Sequence, residues 1–287
     1  KEVKTIDING WQDQYVDILY TSKDGNKIYF ERKTRAFDEQ EVCVANLATG
    51  EVKVLIHEVD KPYLDYQMRA IHFLNDGNEI LFRSERSGWG HYYLYDKDGN
   101  LKNQVTSGAW VAGPIMKIDT ARRQIYFIGL GKEKEIDPYY YVLYRANLDK
   151  TNVVTLLTPE NASHDVNISP SSKYIVDSYS RVDMEPVNVV RDRKGKVILE
   201  LEKADLKSLY AFGSVNTPRF TEKSDIDLLI EFEPDISIEE YTDNYFLLHN
   251  KLTELFRRKI DLVTHRSLSN PFFIADVEQT KQLLYGA

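Results

Sequence analysis

The chain has 287 residues, of which 42% are hydrophobic and 29% charged, and its formal net charge at pH 7 is −8. This composition describes a folded globular protein long enough for two domains, and it excludes a disordered or fibrous chain. The acidic balance also argues against broad binding to nucleic acid, which requires clustered Lys and Arg.

No stretch of the sequence approaches the ~18 apolar residues of a membrane span, so we expect no membrane partner. The single cysteine, Cys43, lies in a strand-like run and excludes an intrachain disulfide. We expect a buried, inert thiol at this position rather than a reactive one.

The first two hundred or so residues repeat one turn-then-strand segment four times, at a period of about 50 residues. Each copy has an isoleucine at the same place: Ile28, Ile80, Ile125 and Ile175. A second tight turn follows most copies, such as Asp98-Gly99-Asn100, in which the glycine supplies a positive φ angle. The pattern predicts an all-β partial β-propeller of about four blades, with a stacked sandwich of hairpins as the alternative.

Two segments of these repeats also indicate a family. Residues 84–96 read Ser-Glu-Arg-Ser-Gly-Trp-Gly-His-Tyr-Tyr-Leu-Tyr-Asp, and residues 164–183 begin His-Asp-Val-Asn-Ile-Ser-Pro. Both closely resemble the β-propeller domain of dipeptidyl peptidase IV-like peptidases of the prolyl oligopeptidase family. The resemblance spans residues 1–205, and this segment is similar to the second half of that family's larger propeller. It implies a domain that gates and positions peptides for a serine hydrolase domain.

A hydrolase of that type requires a Gly-x-Ser-x-Gly nucleophile elbow, with Asp and His downstream. The pentapeptide does not occur in this sequence, and the roughly eighty residues after the last repeat are too few for an α/β-hydrolase. We therefore do not expect peptidase activity from this chain. His164 has no Cys or His partner at metal-ligand spacing, so we expect a hydrogen-bonded structural residue.

From residue 206 to residue 287 the pattern changes to that of a small α/β domain. It predicts a strand over 207–212 that runs into Gly213 and Ser214, and a second strand over 226–232. A helix follows whose apolar residues recur with the 3.6-residue period, and then a strand over 259–263. Asn270 and Pro271 suit the start of a last helix, which we expect to continue until shortly before Gly286.

Three aspartates occur in these strands. Asp225 and Asp227 face the same way because residues i and i+2 of a strand share a face, and Asp261 is a lone carboxylate in the later apolar strand. Carboxylates that converge at a sheet edge repel one another unless cations lie between them, and Mg²⁺ suits such oxygen ligands. Two metal ions about 3.5–4 Å apart can activate a hydroxyl and stabilise a leaving pyrophosphate. Gly213 and Ser214 would bring backbone and hydroxyl donors to a phosphate.

Residues 207–287, with Gly213-Ser214, Asp225-Ile226-Asp227 and Asp261, resemble the minimal nucleotidyltransferase (MNT) family of the DNA polymerase β superfamily. The resemblance implies that ATP or another nucleoside triphosphate binds at Gly213 and Ser214. It implies that Asp225 and Asp227 ligate two Mg²⁺ ions, and that Asp261 holds the catalytic ion and helps to deprotonate the acceptor. The family's Ala-Arg-Gly run is replaced here by residues 215–219, which makes the displaced Arg219 the candidate to reach the phosphate.

The MNT resemblance also implies a partner. Family members commonly pair with a small helical HEPN protein in toxin–antitoxin modules, and some adenylylate tyrosines of that partner. We therefore expect a cytoplasmic, antitoxin-like enzyme that transfers AMP to a protein hydroxyl. The alternative is a non-catalytic propeller fragment joined to an inactive nucleotidyltransferase domain, and the propeller half resembles peptidases that are usually exported.

Overall fold

The computed structural model describes residues 5–65, 68–201, 205–217, 220–221 and 224–286. It divides into two compact units, Lys1–Asn161 and Ala162–Ala287. Within the described residues, no helix has both the length and the apolar composition needed to cross a membrane.

The described part of the first unit contains three sheets, each with four antiparallel strands in up-and-down order. The first sheet comprises β1 (Gln14–Thr21), β2 (Lys27–Thr34), β3 (Glu39–Asn46) and β4 (Val52–Val59). The second comprises β5 (Ile71–Leu74), β6 (Glu79–Ser84), β7 (His91–Asp96) and β8 (Leu101–Gln104). The third comprises β9 (Val111–Asp119), β10 (Gln124–Leu130), β11 (Val142–Asn147) and β12 (Val154–Leu156).

The second unit begins with a fourth sheet of the same kind. It comprises β13 (Ser163–Ile168), β14 (Tyr174–Arg181), β15 (Met184–Asp192) and β16 (Val197–Glu200). The isoleucines of the sequence repeat lie on the second strand of each of the four sheets, and three of them are completely buried. The repeat therefore predicted the number of these sheets.

The rest of the second unit is an α/β domain with a mixed sheet in the order β19-β18-β17-β20. Its strands are β17 (Leu206–Phe212), β18 (Ile226–Phe232), β19 (Ile260–Thr264) and β20 (Gln282–Tyr285). Helix α1 (Ile238–Phe256) connects the parallel strands β18 and β19, and helix α2 (Pro271–Thr280) precedes β20. Side chains of α1 cover one face of the sheet, and Val277 of α2 covers the other.

The two helices begin as the sequence predicts. Ser237 and Glu240 form a capping box at the start of α1, and the Asn270 side chain accepts the backbone N–H of Phe272 ahead of Pro271. The end of α2 was predicted wrongly, because the helix stops at Thr280 and the following residues form β20.

Pairing with β17 explains this early end. β20 pairs antiparallel with β17, so its backbone groups bond across the sheet instead of continuing a helix. Gly286 then has a φ of +108°, and a Cβ there would lie 2.6 Å from the Lys207 carbonyl oxygen. The glycine is needed for close approach to β17 rather than for a helix cap.

The fourth sheet and the α/β domain share one hydrophobic core. Val190, Leu199 and Leu201 pack in the same cluster as buried residues of β17, β18 and α1. The Tyr174 ring also meets the Phe256 ring edge to face, with ring centres 4.8 Å apart. The described parts of residues 162–286 are thus held together by common packing, and the predicted domain boundary between residues 205 and 206, which lies inside this unit, stays a prediction.

Two residues expected to be structural are confirmed as buried. Cys43 is 0% exposed, and burial raises the pKa of its thiol to about 11. The His164 Nδ1 atom lies 2.9 Å from Asp177 Oδ1, while Asp177 Oδ2 accepts the Arg191 Nε–H at 2.7 Å. All three side chains are buried in the fourth sheet.

Candidate active site

The candidate site begins where β17 ends, at the 3₁₀ turn Gly213–Asn216. Gly213 has a φ of +67°, and a Cβ at this position would lie 2.8 Å from Asp227 Oδ2. The half-buried Ser214 follows in the same turn. The Asn216 side chain holds the turn in place, since its Nδ2 donates to the carbonyls of Ala211 at 2.8 Å and Thr280 at 2.9 Å. The turn therefore lies directly against the Asp227 carboxylate.

The three predicted aspartates lie at the starts of the parallel strands β18 and β19. Asp227 and Asp261 are directly paired across these strands, and neighbouring strands are about 4.8 Å apart. Asp225 comes immediately before β18, two residues before Asp227, so the alternation of the strand places it on the same face. Apolar residues of β18 on the opposite face, including Ile226 and Leu228, are buried in the core that α1 covers. The structure thus brings together the carboxylates and the glycine turn.

Lys259 adds a cation to this group. Its Nζ donates to Asp225 Oδ2 at 3.1 Å and to Asp261 Oδ2 at 2.8 Å. The sequence pattern predicts a strand over 259–263 that begins at Lys259, and it assigns this lysine no role in the site. The spacing of Lys259 and Asp261 was the signal available, because residues two apart in a strand face the same way.

The three acidic groups differ in their electrostatics. Burial raises the pKa of Asp227, and the negative charges of Asp261 and Asp225 raise it further. The pKa of Asp225 is lowered, first by a hydrogen bond from its own backbone N–H and then by Lys259. The hydrogen bonds to Asp261 and Asp225 raise the pKa of Lys259. The arrangement therefore disfavours the charged form of Asp227, which a further cation beside it would favour.

This donor set suits a divalent metal ion with oxygen ligands. Three carboxylates share one face, an ammonium group already bridges two of them, and the third has a raised pKa. Carboxylate oxygens are the ligands that Mg²⁺ prefers in proteins. Asp225, Asp227 and Asp261 are the residues that would ligate it, and their assignment as ligands stays a prediction.

Helix α1 fixes the position of Asp261 from the other side of β19. The Tyr245 hydroxyl donates to the Leu262 carbonyl at 2.9 Å, and His249 Nε2 donates to the Ile260 carbonyl at 3.2 Å. β19 is the last strand of the described sheet on this side, so these bonds satisfy carbonyls that face away from β18. The sequence pattern identified Tyr245 only as an apolar residue of the helix and did not single out His249.

The loop between the glycine turn and β18 is described in part. Arg258 Nη2 donates to the Thr221 carbonyl at 2.9 Å, and its guanidinium lies 4.9 Å from the centre of the Phe220 ring. These contacts attach the loop to the end of α1. Arg219, the predicted phosphate ligand, lies outside the described residues.

Comparisons with known proteins assign a family match to each part of the chain. Residues 1–186 match the dipeptidyl peptidase IV (DPP IV) N-terminal region, and residues 195–287 match the polymerase beta nucleotidyltransferase domain. The crystal structure of Porphyromonas gingivalis dipeptidyl peptidase 4 is similar to 69% of this chain with a TM-score of 0.57 and 22% sequence identity, over 27% of that protein. The match confirms the fold as a partial β-propeller rather than a stacked sandwich.

Two curated relatives represent the two parts. The dipeptidyl peptidase 4 of Arthroderma otae is 27% identical over 186 residues, which are 62% of this chain and 23% of the relative's length. The “Putative protein adenylyltransferase” of Methanocaldococcus jannaschii is 37% identical over 98 residues, which are 33% of this chain and 95% of the relative. This chain thus spans about a quarter of the peptidase relative and nearly the whole of the other.

Proposed function

Since residues 1–186 belong to the dipeptidyl peptidase IV N-terminal region family and residues 195–287 to the polymerase β nucleotidyltransferase family, we propose that the chain is a Mg²⁺-dependent protein adenylyltransferase. It transfers AMP from ATP to a hydroxyl group of a protein, in the role of an antitoxin that modifies a helical HEPN-type partner. The observation that supports this most is the group of Asp225, Asp227 and Asp261 on one face, with the Gly213 turn against Asp227.

The choice of a protein acceptor is supported by the Methanocaldococcus jannaschii relative. Its name gives a protein adenylyltransferase, and the chain covers 95% of it at 37% identity. The acidic net charge of −8 favours a protein acceptor over a nucleic acid, because polynucleotide binding depends on basic groups.

The residues of the site have distinct roles in this proposal. The turn at Gly213 and Ser214 holds the triphosphate, because it lets backbone N–H groups and a hydroxyl approach the phosphate oxygens. The acceptor hydroxyl loses its proton to the carboxylate of Asp261, and its oxygen forms a bond to the α-phosphorus of ATP. The bond from that phosphorus to the bridging oxygen breaks, and pyrophosphate leaves.

Asp225, Asp227 and Asp261 would hold the metal ions. When bound, Mg²⁺ supplies positive charge for the attacking and leaving oxygens. The protein's own contribution is to fix the three carboxylates: β18 and β19 hold Asp227 and Asp261 side by side, and Tyr245 and His249 hold β19. A site fixed before the reaction stabilises developing charge without reorganising during it.

No peptidase activity is part of the proposal. The sequence has no Gly-x-Ser-x-Gly pentapeptide, and the chain spans 23% of the length of the Arthroderma otae peptidase. The alternative, a propeller fragment with an inactive nucleotidyltransferase domain, predicts that neither ATP nor Mg²⁺ binds.

The test is transfer of label from ATP by the full chain in the presence of MgCl₂, with and without a candidate helical partner. AMP transfer retains the α-phosphate, so ATP labelled at the α position should label protein, and ATP labelled at the γ position should not. The double variant Asp225→Asn/Asp227→Asn should lose at least about 100-fold of the transfer rate, the scale of one lost electrostatic contribution.

Asp243→Asn is the matched control, because Asp243 is an exposed aspartate on α1 and its change should leave the rate intact. Equal labelling by the two forms of ATP, or full activity in the double variant, would contradict the proposal. Absence of any binding of ATP and Mg²⁺ would favour the inactive alternative.

A further inference from the structure

Lys259 pairs with two of the three carboxylates that would hold a metal ion. Its ammonium group is 3.1 Å from Asp225 Oδ2 and 2.8 Å from Asp261 Oδ2, so one cation joins the residue before β18 to a residue of β19. The exposed fractions of the three side chains are 68% for Lys259, 49% for Asp225 and 42% for Asp261. The bridge is therefore open to solvent, and the lysine can leave it without disturbing the core.

An ammonium group and a divalent ion need the same carboxylate oxygens. While Lys259 bridges Asp225 and Asp261, it holds two like charges close together that would otherwise move apart. Exposed ion pairs are weak, so a divalent ion with a third ligand in Asp227 can displace the ammonium group. The displaced group remains tethered beside the site by its flexible four-carbon side chain.

Lysine is also a common ligand of phosphate groups. Resting on the proposed function, we propose that Lys259 is a positioning residue with two successive partners. It bridges Asp225 and Asp261 in the metal-free protein, and it pairs with the triphosphate oxygens of the nucleotide once Mg²⁺ has taken those carboxylates.

This exchange couples the two ligands. Mg²⁺ binding alone must break the bridge and leave the ammonium group without a partner, whereas Mg²⁺ binding with nucleotide gives it a new one. Nucleotide therefore tightens Mg²⁺ binding, and Mg²⁺ tightens nucleotide binding by the same factor, because such coupling is reciprocal.

The experiment measures Mg²⁺ affinity of the full chain by isothermal titration calorimetry, with and without α,β-methylene-ATP, which cannot release pyrophosphate. Lys259→Met should bind Mg²⁺ alone about fivefold more tightly than the wild type, the effect of removing one exposed ion pair. It should bind the nucleotide analogue more weakly when Mg²⁺ is present. The factor by which the analogue tightens Mg²⁺ binding should therefore fall.

Two further variants separate the mechanism from a general loss of charge. Lys259→Arg keeps the cation and should keep weak Mg²⁺ binding and most of the coupling, and Lys251→Met removes an exposed charge of α1 and should change neither. The inference about Lys259 would be overturned if Lys259→Met left the Mg²⁺ affinity unchanged. It would also be overturned if the variant bound Mg²⁺ more tightly with an unchanged coupling factor, and in both cases the proposed function would stand. A wild-type chain that binds neither Mg²⁺ nor the analogue would remove the proposed function as well.

Discussion

At Gly213 a side chain would meet two obstacles. The backbone has a φ of +67°, which residues other than glycine adopt only at a cost, and a Cβ would lie 2.8 Å from Asp227 Oδ2. The second obstacle concerns the site directly, because relief of the contact requires the turn or the carboxylate to move.

We expect Gly213→Ala to lower the free energy of unfolding by about 1–2 kcal/mol and to weaken Mg²⁺-dependent nucleotide binding severely. Gly50→Ala is the control, since Gly50 has a φ of +80° with no atom within 4 Å of the added Cβ. Gly50→Ala therefore has the conformational cost of a side chain at a positive φ angle, but it lacks the steric contact that a Cβ at Gly213 makes with Asp227. Thermal unfolding with and without Mg²⁺ and nucleotide measures both the loss of stability and the stabilisation by ligands. If ligands stabilise Gly213→Ala and Gly50→Ala equally, the contact with Asp227 does not affect nucleotide binding.

Glu58 of β4 is a buried acid whose pKa is raised, chiefly by loss of hydration, although Ser84 and Arg86 counteract this. Its side chain is 6% exposed. Because the folded-state pKa lies above the unfolded value, the stability linked to Glu58 is fully present below the unfolded pKa of about 4.5 and is lost as the pH rises through the folded pKa.

Glu58→Gln should remove this dependence. Between pH 4.5 and neutrality the wild type should lose stability relative to the variant, as measured by guanidinium unfolding at several pH values. Glu51→Gln, an exposed acid in the turn before β4, serves as the control and should follow the wild type. A constant difference between wild type and Glu58→Gln across this range would refute the prediction.

Residue positions in the site could be predicted from sequence to different extents. The aspartates could be predicted from the sequence because each carboxylate alternates with apolar residues along a strand, and alternation determines which face a side chain occupies. The bridge from Lys259 to Asp225 could not be predicted from the sequence, because it depends on the parallel pairing of two strands separated by a helix. Tertiary pairing of this kind leaves no local pattern.

Strand β19, at the edge of the α/β sheet, depends on helix α1 for part of its hydrogen bonding. β19 pairs only with β18 among the described strands, and the side chains of Tyr245 and His249 satisfy carbonyls on its other side. Helix α1 therefore acts partly as a substitute for a missing strand.

Tyr245→Phe removes one of these bonds and leaves the ring in place. We expect a loss of about 1 kcal/mol of unfolding free energy, and faster amide exchange in β19. Tyr139→Phe, at a side chain that is 85% exposed, should have no effect on either quantity. Hydrogen exchange followed by mass spectrometry gives the comparison, and unchanged exchange in β19 would show that the bond does not secure the strand.

Elements were predictable where their own pattern determines them. β17, β18, β19 and α1 lie within a few residues of the predicted positions, because apolar alternation or a 3.6-residue period marks each one. β20 was missed because Gln282, Leu283, Leu284 and Tyr285 do not alternate between polar and apolar residues. It forms a strand because β17 offers a free edge, which is a property of the rest of the sheet.

At the scale of the molecule, the core of the second unit includes residues from both family matches, since Val176 lies within residues 1–186 and packs against the cluster that contains Leu228. Leu201, which follows β16, is 0% exposed and packs in the same cluster as Leu228 of β18 and Leu252 of α1. The stability of the candidate site therefore depends on residues in and next to the fourth sheet.

Leu201→Ala should lower the unfolding free energy of this unit by about 2–5 kcal/mol and speed amide exchange in β18 as well as in the fourth sheet. Val182→Ala, at a fully exposed turn of the same sheet, is the matched control. If Leu201→Ala speeds exchange in the fourth sheet but leaves β18 protected, the common core does not act as one cooperative unit.

The shared core has a consequence for how the two parts stay associated. β16 ends at Glu200 and β17 begins at Leu206, so the fourth sheet and the α/β domain are five residues apart in the sequence. A covalent connection over so few residues makes the docking of two apolar surfaces intramolecular, so modest complementarity between them suffices for stable packing. Packing against the fourth sheet thus supplies the α/β domain with part of its interior, and the sheet in turn buries apolar surface that it would otherwise expose to solvent.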